Sequence, residues 1–305
     1  MDALVILNPY ANRWHARRKI GRVERALATA GVRFDLRLTT KAGDAETLAF
    51  EAARAGHRPI IAAGGDGTVS EVVNGLLRAA DGAATTPLGV LPIGTGNDFA
   101  DMAGVPRDLL RAARAIASGA TRQLDAARVN DRYFGNNCAL AMEPLVTIEN
   151  TRIRRVSGNL RYLLSLARAL RKLTAWHMRI RWDDGEHVGP VFLLSVCNGP
   201  RCGGLFRMAP DARMDDGLLD FVLAPQMPKR RVVALLWGLL RARHTRHPLV
   251  RVGRTRRLLV ESEPGTPLHA DGEVLTESAR RVEYEVLPGR ITLLAAGLGA
   301  ARADA

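Results

Sequence analysis

The chain has 305 residues, enough for two domains that each bury a core of their own. Its 47% hydrophobic and 25% charged content excludes wholesale disorder and describes an ordinary globular protein. A net charge of +13, from 44 basic against 31 acidic residues, calls for an acidic partner, whether nucleotide, nucleic acid or anionic membrane, without choosing among them.

In chain order, residues 3–7 read as a first strand ending in the turn Asn8-Pro9, with no basic segment and too short an apolar run for a signal peptide. A helix over about 13–30, a strand at 32–38, a helix at 44–55 and a strand at 59–63 follow. Val69, Val72, Val73, Leu76 and Leu77 then fall on one face of a helix over 69–80. A strand at 87–91 and helices at 97–103 and 109–118 complete a regular βα alternation. That alternation predicts a doubly wound α/β domain with a parallel sheet.

After Gln123 the pattern changes to strand-like runs at 123–129, 132–140, 177–182, 188–196, 218–223, 256–262 and 281–287. Helices interrupt them near 159–173 and 229–243, so an antiparallel β domain is expected. The predicted domains are 1–123 and 124–290, with a C-terminal segment 291–305 that could return to the first domain. The longest apolar stretch, residues 232–240, is well short of the roughly 20 residues a spanning helix needs. Cys138, Cys197 and Cys202 are odd in number and lack CxxC spacing, which argues for free thiols in a reducing compartment. A cytoplasmic protein, or one attached to a membrane face, is expected.

Four clusters carry chemistry. Gly64-Gly65-Asp66-Gly67-Thr68 lies between an apolar strand and a periodic helix, where glycines admit a close ligand and a helix start attracts anions. Thr68 and Glu71 have the spacing of a capping box. Asp66 would repel phosphate directly, so it suits magnesium or a hydroxyl; a tight turn with a solvated Asp66 is the competing reading. The second turn, Gly94-Thr95-Gly96-Asn97-Asp98, follows the strand at 87–91, and parallel strands bring both turns to one sheet edge. Asp98 there either caps its helix or serves magnesium. Neither turn fits GxxxxGK[ST] or GxGxxG.

The third cluster, Asp215-Asp216-Gly217-Leu218-Leu219-Asp220, offers hard oxygen ligands or is an acidic β-turn. The fourth, His269-Ala270-Asp271-Gly272-Glu273, can place a general base near a hydroxyl or is an ordinary Asp-Gly hairpin turn. Two segments mixing leucine with arginine, 160–173 and 229–246, suit helices on an anionic bilayer as well as core-packed helices with a basic face.

Taken together and in this order, GGDGTVSEVVNGL at 64–76, PIGTGNDFA at 92–100, DDGLLD at 215–220 and ADGE at 270–273 resemble the diacylglycerol kinase-type lipid kinases, which include the sphingosine and ceramide kinases. The resemblance spans roughly residues 3–295. It implies an α/β nucleotide domain followed by a β-sandwich of the NAD kinase and diacylglycerol kinase type. By similarity, Asn8, Thr40, Gly64, Gly65, Asp66, Gly67, Thr68, Ser70, Gly94, Thr95 and Asn97 would bind ATP. A structural magnesium would sit at Asp216 with the carbonyls of Arg213 and Leu218. Asp271 or Glu273 would take the proton of the lipid hydroxyl, with Asp66 and Asp98 aiding magnesium.

The chain departs from the family's pattern at Asn8-Pro9-Tyr10-Ala11-Asn12, where a serine-glycine sequence is usual, at Ser70, where asparagine is common, and at Ala139-Leu140-Ala141-Met142-Glu143, where alanines replace the usual glycines. The resemblance implies an ATP- and magnesium-dependent kinase acting on diacylglycerol at an anionic membrane surface, peripherally on its inner face, with no nucleic-acid partner. A homodimer is compatible with the sequence. The alternatives are an NAD kinase-like enzyme with a soluble acceptor and a regulator that binds nucleotide or lipid without turnover.

Overall fold

The computed structural model describes residues 2–11, 19–153, 158–204 and 206–295, so residues 13–18 of the first expected helix lie outside the described residues, as do 296–305. The chain divides into two compact units. The first takes residues up to 126, the short segment 214–217, and the chain from 287 onward; the second takes 127–213 and 218–286.

In the first unit, β1 (Asp2–Leu7), α1 (Ile20–Thr29), β2 (Arg33–Leu38), α2 (Asp44–Arg54), β3 (Ile60–Gly64), α3 (Asp66–Ala80), β4 (Leu88–Pro92), α4 (Asp98–Met102) and α5 (Leu109–Ala117) follow one another. The strands run parallel in the order β2-β1-β3-β4. The chain steps outward from β1 to β2 and back past β1 to β3, so right-handed crossovers place α1 and α2 on opposite faces. There α2 packs on α3 and α1 on α5. Covered on both sides, β3 and β4 are buried along their whole length, which is why they read as unbroken apolar runs. The end of β13 (Glu273–Leu294) joins this sheet through Leu293 beside Leu88.

The second unit holds the end of β5 (Thr121–Val129), then β6 (Arg132–Phe134), β7 (Asn137–Ala141), α6 (Met142–Arg152), α7 (Gly158–Lys172), β8 (Trp176–Trp182), β9 (Gly185–Cys197), β10 (Leu219–Pro225), α8 (Lys229–Leu240), β11 (Arg251–Thr255), β12 (Arg257–Ala270) and most of β13. Its pairings are antiparallel, in the order β11-β10-β9-β7-β12-β13. β9 and β12 are long and change partners: each pairs with β8 at one end and with β7 at the other. The ring β8-β9-β7-β12 thus closes around one apolar cluster that includes Phe134, Met178, Ile180, Leu194 and Leu268. This is the α/β unit plus β-sandwich that the sequence predicts.

Three details differ from expectation. The helix expected from 69 starts at Asp66, with Gly65 as its N-cap and no side-chain cap, so the Thr68 and Glu71 capping box does not form. The expected strand 132–140 breaks at Gly135-Asn136. An unexpected helix, α6, follows β7, entered through Ala141 at a φ of 69°.

Candidate active site

The carboxyl ends of β1, β3 and β4 bring both glycine turns of the first unit together. A cleft of about 690 Å³ opens there, lined by Asn8, Thr40, Gly65, Gly67, Thr68, Gly94 and Thr95 of the expected nucleotide residues. Tyr10, Ala11, Lys41, Ala42 and Glu71 complete its wall.

The glycines are there for space. A Cβ on Gly94 would stand 2.3 Å from the Cα of Gly65, and one on Gly64 would stand 2.3 Å from the Cβ of Thr68. Ile93 N and Gly94 N both donate to the carbonyl of Gly64, at 3.0 and 3.1 Å, clamping one turn on the other. Because α3 starts at Asp66, the N–H groups of its first turn have no partner along the helix and face the cleft end of the sheet. Asn8 Nδ2 donates to Thr68 Oγ1 (3.1 Å), fixing the end of β1 to that turn. Asp44 accepts from Thr40 N (2.7 Å), Thr40 Oγ1 (2.6 Å) and Lys41 N (3.0 Å), and these bonds, the Thr40 hydroxyl first, hold its carboxyl below the usual range. Glu71, instead of capping its own helix, accepts from Ala45 N at 3.1 Å and ties α2 to α3.

Gly64, Asp66, Ser70 and Asn97 stand beside the cleft and do not line it. Asn97 closes its own turn, accepting from Gly94 N (3.0 Å) and donating to Gly94 O (3.2 Å). It also occupies the N-cap of α4 at a φ of 57°, so Asp98 is the first residue of that helix and not its cap. Asp66 Oδ1 accepts from Phe99 N at 3.1 Å, which brings it to the start of α4 next to Asp98. Arg107 pairs with Asp101 at 2.5 Å; that bond, then the fields of Asp101, Asp98 and Asp66, raise its pKa. Asp66, Asp98 and Asp101 thus stand close enough together to act on one guanidinium. Magnesium commonly binds through one or two carboxylates plus phosphate oxygens, and the Asp66 and Asp98 pair fits that need.

In the third cluster, Asp216 is half-buried and belongs to the first unit, whereas Arg213 and Leu218 belong to the second. The carboxylate that knits this segment is Asp125, unanticipated from the sequence. Its Oδ2 accepts from Gly217 N (2.7 Å), its Oδ1 from Gly289 N (2.8 Å), and its own N–H donates to Met214 O (2.7 Å). Among the described residues, no group of three or more His, Cys, Asp or Glu side chains converges as a metal cage.

The fourth cluster lies wholly in the second unit. Asp271 (φ 47°) and Gly272 (φ 84°) form a two-residue turn that pairs Ala270 with Glu273, a hairpin of the type favoured by Asp-Gly. Asp271 does more than turn the chain. Its carboxylate accepts from Gly135 N (2.9 Å), Asn136 N (2.9 Å) and Asn137 N (3.1 Å), and this is what breaks the strand between β6 and β7. Glu273 is 64% exposed in its side chain and pairs with Arg132 at 3.0 Å. Behind the turn, Asn137 Nδ2 donates to Glu143 Oε2 (3.0 Å). His269 Nε2 approaches the same oxygen to 3.5 Å without hydrogen-bond geometry, and both imidazole nitrogens and Glu143 Oε1 are buried with no hydrogen bond. The three cysteines are free and buried, and burial drives the Cys138 and Cys197 thiols well above their ordinary pKa.

Residues 2–129 match the diacylglycerol kinase catalytic domain, and residues 139–295 match the YegS C-terminal NAD kinase beta sandwich-like domain. A diacylglycerol kinase of Bacillus subtilis (strain 168) is 33% identical over 273 residues, covering 89% of each chain. The chain belongs to the diacylglycerol kinase family. A second relative, named probable lipid kinase YegS-like, from Chromohalobacter salexigens, is 33% identical over 302 residues, covering 96% of this chain and 93% of its own. A solved diacylglycerol kinase structure from Bacillus anthracis str. Sterne shares the fold, with a TM-score of 0.72 at 22% identity over 97% of both chains.

Family membership makes the chain a kinase. Sequence reasoning missed Lys41, Asp125 and Glu143 as site residues, gave Glu71 a capping role it does not play, and named His269 only as the first residue of the fourth cluster. Asp125 carried a signal, as a carboxylate between Leu124 and Ala126-Ala127 in the buried part of β5. No helix among the described residues is long and apolar enough to cross a membrane.

Proposed function

We propose that the chain is an ATP- and magnesium-dependent lipid kinase that phosphorylates the hydroxyl of diacylglycerol at a membrane surface. The observation that carries this reading is the cleft at the start of α3, where Gly65 and Gly94 touch backbone to backbone and a helix N-terminus, the kind of end that attracts phosphate, meets the cleft. Phosphoryl transfer asks the protein mainly for positioning and charge neutralisation. Asn8, Thr40, Thr68 and Thr95 orient the nucleotide, and the N–H groups of Gly65 and Gly67 receive its phosphates. When bound between Asp66, Asp98 and the phosphates, magnesium would neutralise charge on the transferring group.

Of the two candidate bases, Glu273 is the one with room to act. Both oxygens of Asp271 are taken by main-chain N–H groups, so Asp271 holds the turn that presents Glu273. In this reading Glu273 accepts the hydroxyl proton, and the pair with Arg132 at 3.0 Å holds its carboxylate in place. The names of the relatives support diacylglycerol as the acceptor.

The test is a transfer assay with labelled ATP and magnesium against diacylglycerol, ceramide and sphingosine in mixed micelles, with NAD as a soluble acceptor. Label in phosphatidic acid is the expected result, with Glu273→Gln at least a hundredfold slower at unchanged ATP affinity. Transfer to no lipid by folded protein would refute the reading, and transfer to NAD alone would replace it with a soluble-acceptor kinase.

A further inference from the structure

Between Asp220 and Glu261 the chain runs 40 residues without an acidic side chain, and ten of those residues are Lys or Arg. α8 sits in this stretch. Its inner face is ordinary core, with Val232 and Leu239 buried in a cluster with Val222, Ala224 and Met227. Another side of the helix is exposed. Val233, Trp237 and Leu240 recur at i, i+4 and i+7 and are 45%, 60% and 54% exposed. Arg241 lies over the Trp237 ring, 5.8 Å from its centroid, and Lys229 Nζ donates to the last carbonyls of α7, Leu170 O (3.1 Å) and Arg171 O (3.3 Å). The exposed stripe is thus held on an anchored helix.

The reason the stripe faces out is visible behind it. A Cβ on Gly238 would stand 3.3 Å from His244 N, and His244, itself buried, has its Nε2 2.8 Å from Met208 O. The turn His244–Arg246 therefore folds against the helix on the Gly238 side and leaves Trp237 and Leu240 in the open. Exposing three large apolar side chains is costly unless something receives them.

From this we infer that the outer face of α8 docks on an anionic lipid bilayer, with Val233, Trp237 and Leu240 entering the headgroup and acyl boundary while Arg230, Arg231 and Arg243 contact lipid phosphates. A bilayer receives both halves of this face: the interface takes up Trp and leucine, and its charge attracts the basic rim. A nucleic-acid backbone would satisfy the cations and leave the stripe in water. This deepens the lipid-kinase reading by naming the surface that meets the membrane, and it is tested by binding alone, so that its failure leaves the transfer assay standing.

The full chain is mixed with vesicles of phosphatidylcholine alone and of phosphatidylcholine with about 30% phosphatidylglycerol, some carrying brominated acyl chains, at low and high salt. Salt-sensitive binding to the anionic vesicles is expected, with quenching of tryptophan fluorescence by bromine. Trp237→Phe should keep the binding and lose the quenching. Val233→Ser with Leu240→Ser should weaken binding at least tenfold while the protein keeps its thermal midpoint. Equal affinity for both vesicle types would overturn the inference, and so would quenching that survives Trp237→Phe. Duplex DNA that displaces the protein from vesicles would overturn it in favour of nucleic acid. A lipid-free dimer dissolved by the serine variant would overturn it in favour of a second copy.

Discussion

The glycines of the two turns at the start of α3 and α4 and the glycine of the Asp271 turn are the same residue used for opposite reasons. At Gly64, Gly65 and Gly94 the backbone has ordinary φ values, and the missing Cβ makes room for another chain segment. At Gly272 nothing lies within 4 Å of where a Cβ would be, but φ is 84°, so the residue is chosen for conformation. A turn built by steric exclusion tolerates no side chain; a turn built by dihedral preference tolerates any residue that visits left-handed φ.

Three substitutions sharpen this contrast. The largest effect belongs to Gly94→Ala, whose new methyl meets main chain that cannot swing aside. A loss of about 3 kcal/mol is expected, together with loss of nucleotide binding, read by thermal unfolding and ATP titration. Unchanged ATP affinity would show that the two turns part without harm. Asp271→Asn comes next, because an amide cannot accept from three N–H groups as the carboxylate does. About 2 kcal/mol of stability should be lost, with ATP affinity preserved. A fall in turnover at full stability would make Asp271 the base and demote Glu273. The smallest effect is expected for Gly272→Asn, within about 1 kcal/mol of the parent, since Asn visits the same φ region at little cost. A loss as large as that of Gly94→Ala would erase the distinction.

The same contrast explains what the sequence disclosed. Strand β3, the glycines and helix α3 were legible because burial on both faces leaves an apolar run and the following helix a one-sided stripe. The start of α3 was misjudged because Thr68 and Glu71 mimic a cap, whereas Glu71 serves a main-chain N–H of α2. Helix α6 was illegible on two counts. Its residues carry no one-sided apolar pattern, and an alanine stands at the positive φ where a glycine would have announced the turn. β12 and β13 were read as short because the exposed, charged middle of the hairpin and the register shifts between Glu261 and Thr266 break the alternation. The meeting of Glu143 with His269 joins residues far apart in the chain, and no local pattern encodes it.

Asp125 holds Gly217 and Gly289, and the end of β13 completes the edge beside β4, with Thr85 N donating to Arg290 O at 2.8 Å. The first unit is therefore assembled from segments far apart in the chain. During synthesis this unit must wait for the segment from residue 287 onward, while the apolar edge of β4 stays unpaired. The second unit has all its own residues by position 286 and can finish earlier. A chain that stops short of residue 287 would lack the strand that covers that edge, and aggregation rather than a smaller working kinase is the outcome that strand physics dictates.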